Sequence, residues 1–207
     1  MAKVLRRRTQ QERTEETRSR LLKAAEKIFF RDGFEAAKLE EIASRAGYTR
    51  GAFYANFASK EDLFIAMLEK EALNRLTDVR AAIGDLQPPG AKLATLRKYM
   101  LGSLQDRVWA VLFIEFRLFA LRHPELKTKL ANMHRRIFAA ATATMAEVFD
   151  SAGKRLPMST VALAVSLGGL ANILELDRMV SNAVGESDIA TALGLLFDAA
   201  THYTTRR

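Results

Sequence analysis

No residue of this 207-residue chain stands in a spacing that points to covalent chemistry. There is no cysteine, which removes disulfides and thiolate metal sites, and the three histidines, His123, His134 and His202, are too scattered to hold zinc. The sequence has no G-x-S-x-G elbow, no Walker loop and no G-x-G-x-x-G turn, so an enzyme is not expected, and neither a metal nor a cofactor. What the chain does concentrate is positive charge. Of its formal +8, residues 1–60 carry +6 (14 Lys/Arg against 8 Asp/Glu) and residues 61–207 only +2 (18 against 16). Lys and Arg gathered at one end suit a polyanion, because they release the counterions condensed on phosphates. A solvated basic tail would give the same count.

The elements that must position these residues are helices. Strand alternation is missing, and apolar residues recur at helical spacing between short Gly, Pro and Ser/Thr breaks, so an all-α fold of about nine helices is expected. Residues 1–16 read as a basic arm containing Lys3, Arg6, Arg7 and Arg8. A first helix then carries Leu21, Ala25, Ile28 and Phe29 on one stripe and ends at Gly33. A short second helix around Leu39, Ile42 and Ala43 stops at Gly47, and a third, about Arg50 to Asn56, puts Phe53 and Phe57 on its inward face. That leaves Arg50, Ala52, Tyr54 and Asn56 available elsewhere. Ser59 caps a fourth helix running towards Ile83.

Gln87-Pro88-Pro89-Gly90 is the strongest break, read as a hinge. Helices are expected beyond it at about 91–104, 106–121, 125–150, 159–183 and 187–204, with Pro124 opening the third of these and Ser159 and Ser187 capping the last two. The domain plan is therefore an arm over 1–16, a helix-turn-helix unit over 17–62, a connecting helix over 63–86 and a larger helical domain over 91–207.

Two short helices joined by a tight glycine turn, as in Leu39 to Asn56, have the geometry in which the second helix enters the DNA major groove. The runs A-A-E-K-I-F-F-R-D-G-F-E-A-A, L-E-E-I-A-S-R-A-G-Y-T-R-G-A-F-Y-A-N-F and A-S-K-E-D-L-F stand in the order and spacing of one known domain. Through them, residues 17–68 resemble the DNA-binding domain of the TetR family of bacterial repressors. The remainder is similar only in being helical with two long final helices. One position departs from the family pattern. Lys38 stands where Thr or Ser usually caps the second helix and binds a phosphate, so the cap hydrogen bond is lost and only a weak point-charge contact to phosphate remains.

The resemblance and the helix geometry together place Arg50, Gly51 and Ala52 at the exposed start of the recognition helix, facing base edges. Arg50 is the base reader, or else a non-specific phosphate contact; Gly51 permits close approach, and Ala52 suits a thymine methyl. Tyr48, Thr49, Tyr54 and Lys60 are expected on phosphates, with Asn56 beside them. Arg6, Arg7 and Arg8 either follow the minor groove or are simply solvated.

In the larger domain, an effector is expected near Trp109, Phe113, Phe116, Phe119 and Met133, with Glu115, Arg117, His123 and His134 as polar contacts, although such aromatic spacing is also how a plain core reads. The resemblance implies an isologous homodimer. The last two helices offer it Leu163, Leu167, Leu170 and Leu174, with Ile189, Leu193, Leu196, Phe197 and Ala200, and Gly168 and Gly169 would permit close backbone approach. A monomer core would use the same residues. The expected partners are double-stranded DNA, a second copy and a small-molecule effector. No run approaches a membrane span and no apolar stretch follows the basic N-terminus, so a cytoplasmic location is expected. The competing reading is a helical partner-binding protein without sequence-specific DNA binding.

Overall fold

The computed structural model describes residues 9–84, 86–103, 107–181 and 183–202; Arg6, Arg7 and Arg8 of the expected arm lie outside them. The described residues form nine helices and no strand: α1 (Gln10–Ala36), α2 (Leu39–Arg45), α3 (Arg50–Tyr54), α4 (Lys60–Ile83), α5 (Pro89–Ser103), α6 (Arg107–Arg122), α7 (Pro124–Ser151), α8 (Thr160–Val180) and α9 (Glu186–His202). They divide into two compact units, Met1–Leu68 and Glu69–Arg207, and α4 contributes to both.

In the first unit α1 begins earlier than the sequence suggests. Thr9 caps it in a reciprocal box, its hydroxyl accepting from Glu12 N (3.2 Å) while the Glu12 carboxylate accepts from Thr9 N (2.7 Å). Two otherwise orphaned donors are thereby satisfied, so residues 10–16 of the expected arm are helix. The predicted break at Gly33 is present: its φ of 77° and ψ of 177° interrupt α1, which resumes for a last short stretch to Ala36. The left-handed φ is one that glycine alone adopts cheaply. It carries Phe34 into the core, where its ring centroid lies 5.9 Å from Phe29 and 4.9 Å from Phe64.

The turn between α2 and α3 is equally specific. Tyr48 N donates to Ala43 O (2.9 Å) and Gly47 N to Ser44 O (3.0 Å), with Gly47 at φ 80°. This is a Schellman ending, which stops α2 and redirects the chain within three residues. Thr49 then caps α3, accepting from Ala52 N at 3.2 Å. Ser59 does the same for α4, accepting from Asp62 N at 3.1 Å.

The second unit packs its helices on a core of Val79, Leu96, Met145, Phe149, Leu163, Leu167, Leu193 and Phe197, among others. Its first break falls slightly earlier than expected, because Pro89 opens α5 and Gly90 lies inside it. Pro124 opens α7 and Ser159 caps α8 as expected, but Ser187 lies within α9; Asp188 reaches back instead, its carboxylate accepting from Gly185 N (2.9 Å).

Two ion pairs tie distant helices of this unit. Arg97 on α5 forms a fork with Asp198 on α9 (2.8 and 2.9 Å), and its guanidinium holds the Asp198 carboxyl below the usual carboxylate range. Gly194 makes this possible, since a Cβ there would come within 2.5 Å of Arg97 Nη2. Glu175, buried on α8, pairs with Arg178 and with Arg107 on α6 (2.9 Å). Burial pushes its carboxyl up against the pull of Arg107.

One helix departs from the expected absence of an apolar span. Thr160–Val180 is long and apolar enough by length and composition to cross a membrane. Here it turns Leu163, Leu167, Ala171 and Glu175 into the helical core and leaves an opposite apolar face uncovered.

Candidate functional site

Because Phe53 and Phe57 are buried, α3 has only one other face to present. Thr49, Arg50, Gly51 and Tyr54 are exposed there and Ala52 is partly exposed, as expected of a surface that meets a groove. The Arg50 guanidinium is not loose. It lies 3.1 Å from Glu40 on α2, donates to the Tyr54 hydroxyl at 3.4 Å and sits 5.5 Å from that ring's centroid. With Arg50 and Glu40 more than half exposed, this pair is weak and water-screened, so a DNA phosphate or base edge competes with it readily. Glu40 carried no signal in the sequence, since only the fold brings α2 beside the start of α3.

The other expected contacts separate into two groups. Lys38 is exposed in an extended conformation, and α2 starts with no side-chain cap, as its residue type dictates. Tyr48 is half-buried, its hydroxyl accepting from Thr17 on α1 at 3.3 Å. Asn56 is turned inward: its Nδ2 donates to Ala52 O (2.8 Å), its carbonyl accepts from Arg18, and its Oδ1 is buried without a partner.

Lys60, expected on a phosphate, is engaged within the chain. Its ammonium donates to Phe34 O (2.9 Å), Glu35 O (2.9 Å) and Ala37 O (3.0 Å) and lies 4.8 Å from the Phe34 ring centroid. All three N–H bonds therefore serve carbonyls at the end of α1, and the side chain fastens that end to the start of α4.

The second unit holds a cavity of about 820 Å³ between α4, α5, α7 and α8. Leu76, Val79, Met100, Ile137, Ala141 and Met145 make its apolar wall, and Arg75, Asp78, Tyr99 and Thr144 supply polar atoms. Arg75 is already paired with Glu71 (2.6 Å), and the Thr144 hydroxyl accepts from Arg80 (2.7 Å).

None of the residues expected around an effector lines this cavity. Phe116 and Met133 are wholly buried core, Trp109 is near Arg75 (6.0 Å to the ring centroid), and Phe119 stacks on His123 (3.9 Å between centroids). Arg117 and His134 line a smaller cleft elsewhere. The cavity is marked by the spacing of Ala72, Leu76 and Val79 on α4 and of Ile137, Ala141 and Met145 on α7.

The residues expected at a dimer interface pack within the single chain. Leu167, Leu193 and Phe197 are at most 1% exposed within the single chain, and Leu170, Leu174 and Leu196 pack partly buried against the same core.

An all-helical chain with a capped, Schellman-turned helix pair presenting arginine and small residues is a helix-turn-helix protein. Residues 21–67 match the family model described as bacterial regulatory proteins, tetR family. Over those residues the chain is similar to the DNA-binding domain of that family. It is 39% identical over 69 residues to the HTH-type transcriptional activator FasR of Mycolicibacterium smegmatis, covering 33% of this chain and 32% of that one. It is 30% identical over 131 residues to the HTH-type transcriptional repressor NicS of Pseudomonas putida, covering 62% and 54%. The chain thus spans from a third to about half the length of these relatives. The crystal structure of FadR from Bacillus subtilis in complex with stearoyl-CoA matches over 89% of this chain and 97% of that one, with a TM-score of 0.63 and 16% identity; this likeness is one of fold.

The two groups of lysine and arginine contacts are separable by experiment. Lys60→Met removes three donors from carbonyls at a helix end and is expected to lower stability to denaturant by about 1–3 kcal/mol while leaving the salt dependence of DNA binding unchanged. Unchanged stability with a shallower salt slope would instead put Lys60 on a phosphate.

Proposed function

We propose that this chain is a ligand-responsive transcriptional repressor that binds a two-fold operator as a homodimer and is released by a small-molecule effector. The observation that carries the reading is the outward start of α3, where Thr49, Arg50, Gly51 and Ala52 face solvent while Phe53 and Phe57 hold the helix from behind. Arg50 reads a base edge, in which a bidentate contact to guanine is worth roughly 1–3 kcal/mol of discrimination. Gly51 and Ala52 allow close approach. Thr49, Tyr48 and Tyr54 offer hydroxyls and Lys38 a charge to phosphates. The net +6 of residues 1–60 supports a polyanionic partner. The repressor sign follows NicS and the family; FasR shows that activation occurs among relatives.

The homodimer reading rests on the uncovered faces of α8 and α9. Val161, Val165, Gly169, Ile173 and Val180 follow helical spacing along one side of α8, and Leu195 and Ala199 do so on α9. Ile173 is 64%, Leu195 65% and Val180 86% exposed, an apolar stripe that a second copy would cover. Two such chains related by a two-fold axis would place recognition helices on half-sites about 34–36 Å apart. The effector occupies the α4–α5–α7–α8 cavity, whose volume and apolar wall suit a bulky, largely hydrophobic molecule. The stearoyl-CoA bound by FadR is a molecule of that character. Since α4 both lines the cavity and supplies Leu63 and Phe64 to the first unit's core, its displacement is the means of release. A cytoplasmic location follows from this reading.

Purified protein is expected to retard the intergenic DNA beside its own gene in preference to random DNA, with binding that weakens steeply as salt rises. Arg50→Ala should lose about 10–100-fold of that preference. No preference at any salt would favour the partner-binding alternative. The double variant Val165→Glu, Ile173→Glu should sediment as a folded monomer; a persisting dimer would place the interface elsewhere. Ala141→Trp, which fills the cavity, should keep operator binding and abolish release by any inducer that acts on the unsubstituted chain, and undiminished release would move the effector site.

A further inference from the structure

A second cleft, sharing no residue with the large cavity, lies between α6 and α7 and measures about 250 Å³. Arg117 and Leu121 from α6, and Lys127, Leu130 and His134 from α7, are the side chains that define its chemistry. Two features set it apart from an ordinary helix groove.

The first is charge. The lining holds two cations and an imidazole and no carboxylate, and neither Arg117 nor Lys127 has an acidic partner among the described residues. Arg117 is instead held over the Phe113 ring, 5.2 Å from its centroid. That contact fixes a guanidinium without neutralising it.

The second is an unsatisfied nitrogen. His134 Nε2 is buried and has no hydrogen-bond partner. The imidazole is flanked by Phe113 and Phe138, with centroids 5.6 and 5.8 Å away, neither of which can accept a conventional hydrogen bond. Burial, and then Arg117, pushes its pKa down, so the ring is neutral. Buried polar groups are nearly always paired in native proteins, and an orphan of this kind is open to a partner from outside the chain, water or a bound ligand.

We propose that this α6–α7 cleft binds a small organic carboxylate about the size of a single aromatic ring. The carboxylate is drawn between Arg117 and Lys127, and a turn of the His134 ring supplies a hydrogen bond from Nε2. The apolar body rests on Leu121 and Leu130. A volume of about 250 Å³ suits a single ring, and the two leucines favour an organic body over inorganic phosphate. The site is independent of the effector cavity, so it stands or falls apart from the reading of that cavity.

Benzoate is the probe, followed by the imidazole 15N signals of the full chain. Saturable shifts are expected at His134 with a Kd of about 1 mM or tighter, while His123 and His202 stay put. Benzamide, of the same shape without the charge, should bind at least about tenfold more weakly, and Arg117→Met should weaken benzoate by a similar factor. Lys127→Met, an exposed position, serves the same purpose should Arg117→Met fail to fold. No saturable shift at His134, equal binding of benzamide, or full affinity in the folded methionine variants would each overturn the proposal.

Discussion

Three carbonyl oxygens, those of Phe34, Glu35 and Ala37, converge on the ammonium of Lys60, and the DNA-binding unit depends on that convergence. A helix end leaves carbonyls without partners, and at the end of α1 the chain has just been turned by Gly33 so that Phe34 points inward. Lysine answers the carbonyls while its ammonium lies beside the same phenyl ring. Because Lys60 is also the first residue of α4, one side chain fixes the end of α1 and the start of α4 together. Between these fixed points only the α2–α3 pair remains to be placed. Ile42, Ala43 and Phe53 then set its depth on the aromatic core, and the Gly47 turn sets the direction of α3.

The outward face of α3 is therefore what remains when every other group has been used. Phe53 and Phe57 are consumed by the core, Asn56 by the helix end and Lys60 by α1; Arg50, Gly51 and Ala52 are left for a partner. Glu40 refines this arrangement. It pairs with Arg50 only weakly, both side chains being more than half exposed and screened by water.

How much of this was legible in the sequence varies by element, for physical reasons. The turn at Gly47, the caps at Thr49 and Ser59 and the inward Phe53 and Phe57 are local: each follows from a residue type and a spacing of three or four, and each is where the sequence puts it. Thr9 and Glu12 carried an equally local capping signal, obscured by the surrounding charge. Lys60 and Asn56 were not legible, because a lysine bound to carbonyls 23–26 residues away and an asparagine folded onto its own helix look, in one dimension, like solvent-facing polar groups. The cavity was hidden for a different reason. Periodicity reports which face of a helix is apolar, and an apolar face that lines a void has the same period as one that fills it.

That limit is sharpest in α8. The helix carries two apolar stripes, one through Leu163, Leu167 and Ala171 and another through Val161, Val165, Gly169 and Ile173. The leucine stripe is the one expected at a dimer interface; in the single chain α9 and α6 pack against it, and the β-branched stripe is left uncovered. A helix apolar on both sides requires a second buried environment, either hydrocarbon or another protein surface. Glu175 near its end, buried in an ion pair with Arg107 on α6, ties this helix to its own bundle. Gly169 in the middle of the open stripe leaves nothing within 4 Å of a Cβ position, so it is unused by the chain itself and lets another helix approach closely.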